Sequence, residues 1–172
     1  MDESLSVQAE LMKAFPKAVS NIRVPRKSRV FAGVALESFP EVLKYAVDKL
    51  GFSMLCTITG LDAGDAFEVV YHLARPSGVV LNLSTRTAKD HPVIRTVTPM
   101  FPAADLYERE MMDLLGLQVE GLAPGRRYPL PDDWPEGQYP LRKDWKKPAA
   151  LAEQAPVPAP ASGKQSSEES HA

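Results

Sequence analysis

Three consecutive segments of the sequence alternate between apolar and polar residues, and only short connections separate them. They predict strands over Ser53–Thr59, Ala66–Arg75 and Val79–Thr85. A period of two places successive side chains on opposite faces of a strand. Because connections this short join antiparallel neighbours, the three segments predict an antiparallel meander.

Segments with helical periodicity lie on both sides of this meander. We predict helices over Ser4–Phe15, Phe39–Leu50 and Ala103–Leu115, and further strands over Asn21–Val24, Arg29–Leu36 and Val93–Thr98. Gly116 is placed to end the third helix in a left-handed cap. The expected fold class is α+β, with helices packed on one face of a mainly antiparallel sheet, followed by an extended C-terminal arm.

The last quarter of the chain has a different composition. Nine of the 16 prolines lie between Pro124 and Pro160, and two tryptophans and two tyrosines are interleaved among them up to residue 145. Disordered tails are poor in aromatic residues, whereas proline-stiffened segments with aromatic and arginine side chains suit partner binding. We therefore predict a globular domain over residues 1–120, an extended partner-binding arm over 121–145 and a disordered tail over 146–172.

Charge and hydropathy exclude several classes of protein. The 172 residues carry 20 basic and 22 acidic side chains, and residues 101–145 carry nine acidic against five basic. This balance argues against a nucleic-acid partner. No apolar run approaches the length of a membrane span, and the polar N-terminus does not resemble a signal peptide, so a soluble intracellular protein is expected.

The residues that could bind a metal are few. Cys56 is the only cysteine, and His72, His91 and His171 share no ligand spacing with it or with one another. We predict no metal site and no catalytic residue in this chain. Cys56 alternates with apolar neighbours, which predicts a buried, inert thiol.

The densest charged cluster lies in the third predicted helix and comprises Glu108, Arg109, Glu110 and Asp113. Paired carboxylates could perform acid–base chemistry. The favoured alternative is a solvated or partner-facing side of the helix. Asp105 and Asp113 each lie four residues from Arg109, which allows local ion pairs.

The same region carries a long, ordered set of motifs. They are Glu108–Gly116, Gly121, Arg126–Arg127, Leu130–Trp134 and Pro140–Trp145, preceded by Ile58–Asp62, Phe67–Leu73, Asp90–Val93 and Pro102–Ala104. Together these motifs closely resemble the thirty-kilodalton subunit of respiratory complex I. They also resemble the related subunits of membrane-bound group 4 nickel–iron hydrogenases and formate hydrogenlyases. The resemblance covers about residues 20–145.

The resemblance implies a structural and assembly subunit with no redox centre of its own, in the peripheral arm of a membrane-bound oxidoreductase. Its expected partners are the large catalytic subunit, of the hydrogenase large-subunit type, and the iron–sulfur small subunit. These partners would carry iron–sulfur clusters and, in the hydrogenase branch, nickel and iron. The expected location is peripheral, on the cytoplasmic face of the cell membrane. Ten residues are predicted to contact partners or fix the arm: Glu108, Arg109, Glu110, Asp113, Arg126, Arg127, Trp134, Arg142, Lys143 and Asp144.

Two departures from the family pattern bear on the branch. The segment Gly121–Arg127 lacks the usual histidine and aspartate, and Leu115 stands where an aromatic residue is usual. They favour the hydrogenase branch over the corresponding subunit of an NADH-quinone oxidoreductase (complex I), which stays the alternative. The alternatives of another class are a free-standing enzyme using Glu108 and Asp113, and a nucleic-acid-binding adaptor.

Overall fold

The three alternating segments form adjacent strands on one side of a five-stranded sheet in the computed structural model, which describes residues 2–148. The strands of this sheet are β1 (Val19–Arg26), β2 (Arg29–Val34), β3 (Met54–Asp62), β4 (Ala66–Ala74) and β5 (Val80–Ala88), in the spatial order β1-β2-β5-β4-β3. All neighbours pair antiparallel except β2 and β5, which run parallel. The predicted meander of β3, β4 and β5 is confirmed.

Three helices complete the domain together with a small second sheet. The helices are α1 (Glu3–Ala14), α2 (Phe39–Asp48) and α3 (Ala104–Leu115), and a 3-10 turn at Leu36–Ser38 precedes α2. The short strands β6 (Val93–Arg95) and β7 (Gln118–Glu120) lie on either side of α3 in the sequence and pair parallel. The predicted α+β class is confirmed, whereas β7 and the parallel β2–β5 pair were not predicted.

The core lies on one face of the large sheet. Strand β4 alternates strictly, with its buried residues at Phe67, Val69, Tyr71 and Leu73. The apolar residues of all three helices join these side chains in a single buried cluster. Burial of this apolar surface is the main stabilising contribution to the domain.

Helix α3 approaches the sheet closely at Gly60 of β3. A Cβ atom at this position would lie 2.7 Å from Leu115 Cδ1 and 3.0 Å from Met111 Cγ. A side chain at this position would have to displace the side chains of Leu115 and Met111, so Gly60 lets these two residues of α3 pack directly on the strand. The charged residues of α3 are thereby placed beside the segment that follows β7.

Strand β3 is an edge strand, and this overturns one sequence prediction. Cys56 is exposed rather than buried. The pairing of β3 with β4 shifts register between Leu55 and Thr57, so Cys56 is the extra residue of a bulge. Bulge residues are not held to the strict alternation of a strand, which explains why the apolar pattern around Cys56 was misleading.

The chain beyond β7 contains no helix or strand in its described part, residues 121–148. From here on, the arm means this described segment, residues 121–148, which is three residues longer than the arm predicted from the sequence. The division into a domain at 1–120 and an arm at 121–145 stays a prediction, although the last strand does end at Glu120. Of the predicted tail over 146–172, all but residues 146–148 lie outside the described residues.

Candidate functional site

The arm returns to the domain at the C-terminal end of α3. That helix ends at Gly116, whose φ of 74° forms the predicted left-handed cap, and the Leu117 amide donates to Met111 O at 3.4 Å, as in a Schellman motif. The last carbonyl groups of a helix have no partner within the helix. Two of them bind the arm: the Leu141 amide donates to Leu114 O at 3.0 Å, and Arg142 Nε donates to Leu115 O at 2.6 Å.

The guanidinium of Arg142 lies against two aromatic rings. It lies 4.5 Å from the centroid of Tyr139 and 5.1 Å from that of Phe67. A cation at the C-terminal end of a helix is also favoured by the helix dipole. A Cβ atom on Gly116 would lie 2.6 Å from Arg142 Nη2 and 2.6 Å from the Tyr139 ring, so the glycine is needed both for its backbone and for the arm. Arg142 therefore caps α3 and anchors the arm at once.

Asp62, at the end of β3, holds the neighbouring residue of the arm. Its Oδ2 accepts from the Lys143 amide at 2.9 Å and from Lys89 Nζ at 2.7 Å, while its Oδ1 accepts from the Gly64 amide at 2.8 Å. The hydrogen bond from Lys89, with those from the two backbone amides, lowers the pKa of the Asp62 carboxyl from 3.8 to about 2. The sequence did not predict that Asp62 binds the arm, because an aspartate two residues before a glycine indicates only a local turn.

Asp113 on α3 binds the middle of the arm. Its side chain is 10% exposed, its Oδ1 accepts from Arg127 Nε at 3.1 Å, and its Oδ2 accepts from the Leu130 amide at 3.3 Å. Arg127 Nη1 also donates to Trp134 O at 2.9 Å. The carboxylate of Asp113 and the guanidinium of Arg127 thus join the parts of the arm around Leu130 and Trp134 to α3.

The start of the arm is held by Arg109, one turn earlier on α3. The guanidinium donates to both carboxylate oxygens of Asp105 at 2.9 Å and to Ala123 O at 2.8 Å. The hydrogen bond from Arg109 lowers the pKa of the Asp105 carboxyl. The predicted pair with Asp105 is present, whereas Asp113 pairs with Arg127 instead of Arg109.

Glu108 does not lie on a solvated side of the helix, and this corrects the sequence interpretation of the charged cluster. Its side chain is fully buried, with Oε1 accepting from the Val97 amide at 2.7 Å and Oε2 accepting from Thr96 Oγ1 at 2.6 Å. Burial raises the pKa of this carboxyl. Glu108 joins α3 to the segment after β6, and its burial leaves no access for a substrate.

The arm is also folded upon itself by its two tryptophans. Trp134 Nε1 donates to Gln138 O at 2.8 Å, and Trp145 Nε1 donates to Gln138 Oε1 at 2.9 Å. The two rings stack with centroids 6.4 Å apart. Gln138 thus closes a loop in the arm, and neither Gln138 nor Tyr139 was among the predicted site residues.

The ten predicted site residues therefore divide into two sets. Five turn inward and hold α3 or the arm within this chain: Glu108, Arg109, Asp113, Arg127 and Arg142. Four others are exposed, namely Glu110, Arg126, Lys143 and Asp144, and Trp134 is half-buried. Contact of any of these residues with a partner subunit stays a prediction.

The described part of the chain shows neither a metal-binding cluster nor a membrane span. In residues 2–148 no group of three His, Cys, Asp or Glu side chains is arranged to hold a metal ion. His72 lies between Thr59 Oγ1 at 3.0 Å and Asn82 Oδ1 at 2.7 Å, in a network on the sheet face opposite the core. Among the helices of these same residues, none is long and apolar enough to cross a membrane.

Residues 32–150 match the family described as the thirty-kilodalton subunit of the respiratory-chain NADH dehydrogenase. This match covers most of the large sheet, α3 and the arm together. The chain belongs to this thirty-kilodalton subunit family. The resemblance inferred from the motifs of α3 and the arm is thereby confirmed.

The chain matches two relatives over most of their own length. One subunit of the F420H2 dehydrogenase of Methanosarcina mazei is 33% identical over 147 residues, which cover 84% of this chain and 92% of the relative. The beta subunit of the membrane-bound hydrogenase of Pyrococcus furiosus is 31% identical over 152 residues, covering 85% and 88%. Both are named as subunits of larger enzymes.

The fold has a counterpart among solved structures. A chain of the archaeal membrane-bound sulfane sulfur reductase, a respiratory membrane complex, superposes with a TM-score of 0.76 at 24% identity, covering 96% of this chain and 98% of the other. This likeness concerns the fold alone. It shows that the fold also occurs in a respiratory membrane complex with a different named activity.

Proposed function

We propose that this chain is a structural and assembly subunit, with no redox centre of its own, in the peripheral arm of a membrane-bound oxidoreductase. It docks on the large catalytic subunit and on the iron–sulfur small subunit. The observation that carries the proposal is the family match through the arm, residues 121–148, a segment that the apolar core of the domain does not include. Location on the cytoplasmic face of the membrane, through the complex alone, is part of the same proposal.

The exposed surface of the arm supports a partner-binding role. Tyr128 is 46% exposed and Leu141 is 55% exposed, and Leu106 on α3 is 53% exposed. Large apolar side chains at this exposure gain stability when a partner covers them. Lys143 and Asp144 are exposed and follow Leu141 closely in the sequence, and charged groups near exposed apolar side chains favour a specific partner.

The inward contacts of the arm fit the same role. Arg127 and Arg142 fix the backbone of the arm before any partner binds. A segment ordered beforehand loses less conformational entropy on association than a flexible one. We infer that the domain serves as the base on which the arm is held in its binding conformation.

The proposal is tested by a charge exchange on the arm. We replace Lys143 by Asp and Asp144 by Lys, which keeps the net charge, and recover the complex from membranes through a tag on this chain. The recovered large subunit should fall at least about tenfold, as expected for misplaced interface charges. The matched control exchanges Lys44 and Asp48, an exposed ion pair on α2, and should leave recovery unchanged. Equal recovery with both exchanges would refute docking through this part of the arm.

The hydrogenase branch is the finer part of the proposal and rests on the departures at Leu115 and Gly121–Arg127. The metal content of the purified complex tests it. Stoichiometric nickel with hydrogen-dependent activity supports the hydrogenase branch. A nickel-free complex with NADH-quinone reductase activity replaces it with the alternative, the complex I subunit, and leaves membership of the family intact.

A further inference from the structure

The large sheet has two edge strands, and they differ in how they are protected from pairing with another chain. Strand β1, at one edge, carries Arg23, Pro25 and Arg26, and its pairing with β2 is irregular at two points. Charged residues, prolines and irregular pairing are the usual protection of an exposed edge. Strand β3, at the other edge, has no proline, and its one charged residue is the last, Asp62. From Thr57 to Asp62 its pairing with β4 is regular, so this edge is suited to pairing with an added strand.

The backbone groups along this edge of β3 are unpaired in the described part of the chain. The Ala63 amide donates to Ala66 O at 2.9 Å, which makes these two residues a hydrogen-bonded pair of the β3–β4 hairpin. Because such pairs alternate along antiparallel strands, the amides and carbonyl groups of Ile58 and Gly60 point away from β4. No described residue bonds to these two amides, and Ile58 O has only Thr57 Oγ1 at 3.5 Å. An extended segment laid beside β3 satisfies these groups with main-chain hydrogen bonds.

A largely apolar groove of about 330 Å³ lies between β3 and α3. Its lining includes residues 57–60 of β3, Tyr107, Glu110 and Leu114 of α3, and Leu141 of the arm. Tyr107 Oη donates to Cys56 O at 3.3 Å at one end, and Leu141, whose amide binds Leu114 O, lies at the other. Gly60 has no side chain, so its backbone itself forms part of the wall. The groove therefore places apolar surface directly beside the unpaired backbone groups of β3.

Glu110 determines the charge of this groove. It is exposed, and it has no ion pair in the part of the chain that the structure describes. The other acidic residues of α3 are already engaged, since Asp105 and Asp113 pair with arginines of this chain and Glu108 is buried. A lysine or arginine of a partner complements the Glu110 carboxylate. A second copy of this chain, pairing through the same edge, would instead bring a second Glu110 to the groove, and like charges disfavour that pairing.

We propose that an extended segment of a partner subunit adds to the five-stranded sheet along residues 57–61 of β3. Every second residue of this segment is apolar and enters the groove toward Leu114, and a lysine or arginine of the segment reaches Glu110. In this mode of recognition main-chain hydrogen bonds supply affinity, and pockets for alternate side chains supply specificity. The inference rests on the function proposed above, because it takes the partner to be a subunit of the same complex. Leu141 belongs to both the arm and the groove, so the added strand continues the surface proposed for the arm.

Hydrogen exchange of single amides, read by mass spectrometry with fragmentation, tests the added strand. It compares the full chain alone with the complex recovered from membranes through a tag on this chain. The amides of Ile58 and Gly60 should exchange at least about tenfold more slowly in the complex, whereas those of Thr57 and Thr59, which already face β4, should change by less than about twofold. No slowing in a complex that contains a partner, or equal slowing of all four amides, overturns the inference.

The charge of Glu110 is tested with the variants Glu110→Lys and Glu110→Gln. Glu110→Lys places a like charge beside the cation of the partner and should reduce the recovered partner at least about tenfold, whereas Glu110→Gln should reduce it only about threefold. The matched control, Glu41→Lys, makes the same change at an exposed residue of α2 and should leave recovery unchanged. Equal recovery with Glu110→Lys and Glu41→Lys overturns the role of Glu110.

The outcomes separate the added strand from the proposed function. If the tagged wild-type chain recovers no partner subunit, the proposed function fails and the added strand fails with it. If a partner is recovered while exchange in β3 is unchanged, only the added strand fails. Slow exchange of Ile58 and Gly60 in the isolated chain, together with a dimeric mass in sedimentation, assigns the edge to a second copy and overturns pairing with a partner subunit.

Discussion

The domain and the arm are held by different physical interactions. The domain buries a continuous apolar cluster between one sheet face and three helices. The arm has no helix or strand in residues 121–148 and depends on a few directed contacts, chiefly those of Asp113, Arg127 and Arg142. Apolar burial is non-directional and spread over many residues, whereas each contact of the arm needs one donor and one acceptor in place.

The stabilities of the domain and the arm can be measured separately because the tryptophans report on the arm alone. The chain has two tryptophans, Trp134 and Trp145, and both lie in the arm. Tryptophan fluorescence therefore follows the arm, while far-ultraviolet circular dichroism follows the helices and strands of the domain. If the two regions are independent, variants can release the arm without unfolding the domain.

The largest effect is expected for Leu83→Ala in the centre of β5. Leu83 is fully buried opposite Tyr71, and its truncation leaves a cavity that costs about 2–5 kcal/mol of unfolding free energy. Denaturant unfolding followed by circular dichroism should shift to lower denaturant, with fluorescence following at the same midpoint. A fluorescence transition unaffected by Leu83→Ala would show that the arm keeps its structure without the domain.

The next effect is expected for Arg142→Ala, which removes the cap of α3 and the contacts with two rings. A charged hydrogen bond of this kind contributes about 1.5–3 kcal/mol, so docking of the arm should weaken roughly thirtyfold. Hydrogen exchange at the Leu141 amide should accelerate, and the fluorescence should change, while the dichroism stays near that of the wild type.

Lys143→Ala is the matched control for that variant. The Lys143 side chain is exposed, and its backbone amide, which the substitution keeps, binds Asp62. The substitution should therefore change exchange at Leu141 by less than about twofold, as surface substitutions usually do. Equal effects of both variants would mean that general loss of positive charge, and not the cap, releases the arm.

The difference between the two regions also explains what could be predicted from the sequence. Strands β3 to β5 and helix α3 were predictable because their apolar periods express burial directly. The parallel contact of β2 with β5 was not, because it depends on how the chain returns after α2. Cys56 was misjudged at a bulge, and Glu108 was misjudged because a carboxylate is rarely fully buried. The periodicity of apolar residues alone does not reveal a bulge such as that at Cys56 or a buried carboxylate such as that of Glu108.

The sequence predicted that the arm makes specific contacts, but it did not predict which groups the arm binds. Prolines, aromatic residues and arginines indicated a segment built for contacts, and Arg127 and Arg142 do make them. Their partners include backbone carbonyl groups of α3 and the arm, such as Leu115 O and Trp134 O. Every residue has a carbonyl group, so no sequence pattern identifies which of them an arginine reaches.

A smaller effect is expected for Asp113→Asn in the middle of the arm. The amide keeps one acceptor oxygen but loses the charge that pairs with Arg127, and charge-assisted hydrogen bonds are about twice as strong as neutral ones. Docking of the middle of the arm should weaken by about 1 kcal/mol, seen as faster exchange at the Leu130 amide. The control is Asp133→Asn, an exposed residue close to Leu130 in sequence, which should leave this exchange unchanged.

The smallest effect is expected when low pH protonates Asp62, because a single hydrogen bond joins Asp62 to the arm. The folded pKa of Asp62 is about 2, below its ordinary 3.8, so its stabilising contribution is present above about pH 4 and is lost as the pH falls toward 2. In this window the fluorescence transition of the wild type should be larger than that of Asp62→Asn, because the variant has no proton to bind at that site and keeps only the response of groups such as Asp105. Asp65→Asn is the control, since Asp65 lies in the same turn, is 76% exposed and pairs only with Arg86 among the described residues. If Asp62→Asn and the wild type give superimposable acid transitions, the Asp62 carboxylate does not hold the arm, and the contacts of Arg142 and of the Leu141 amide account for docking at the end of α3.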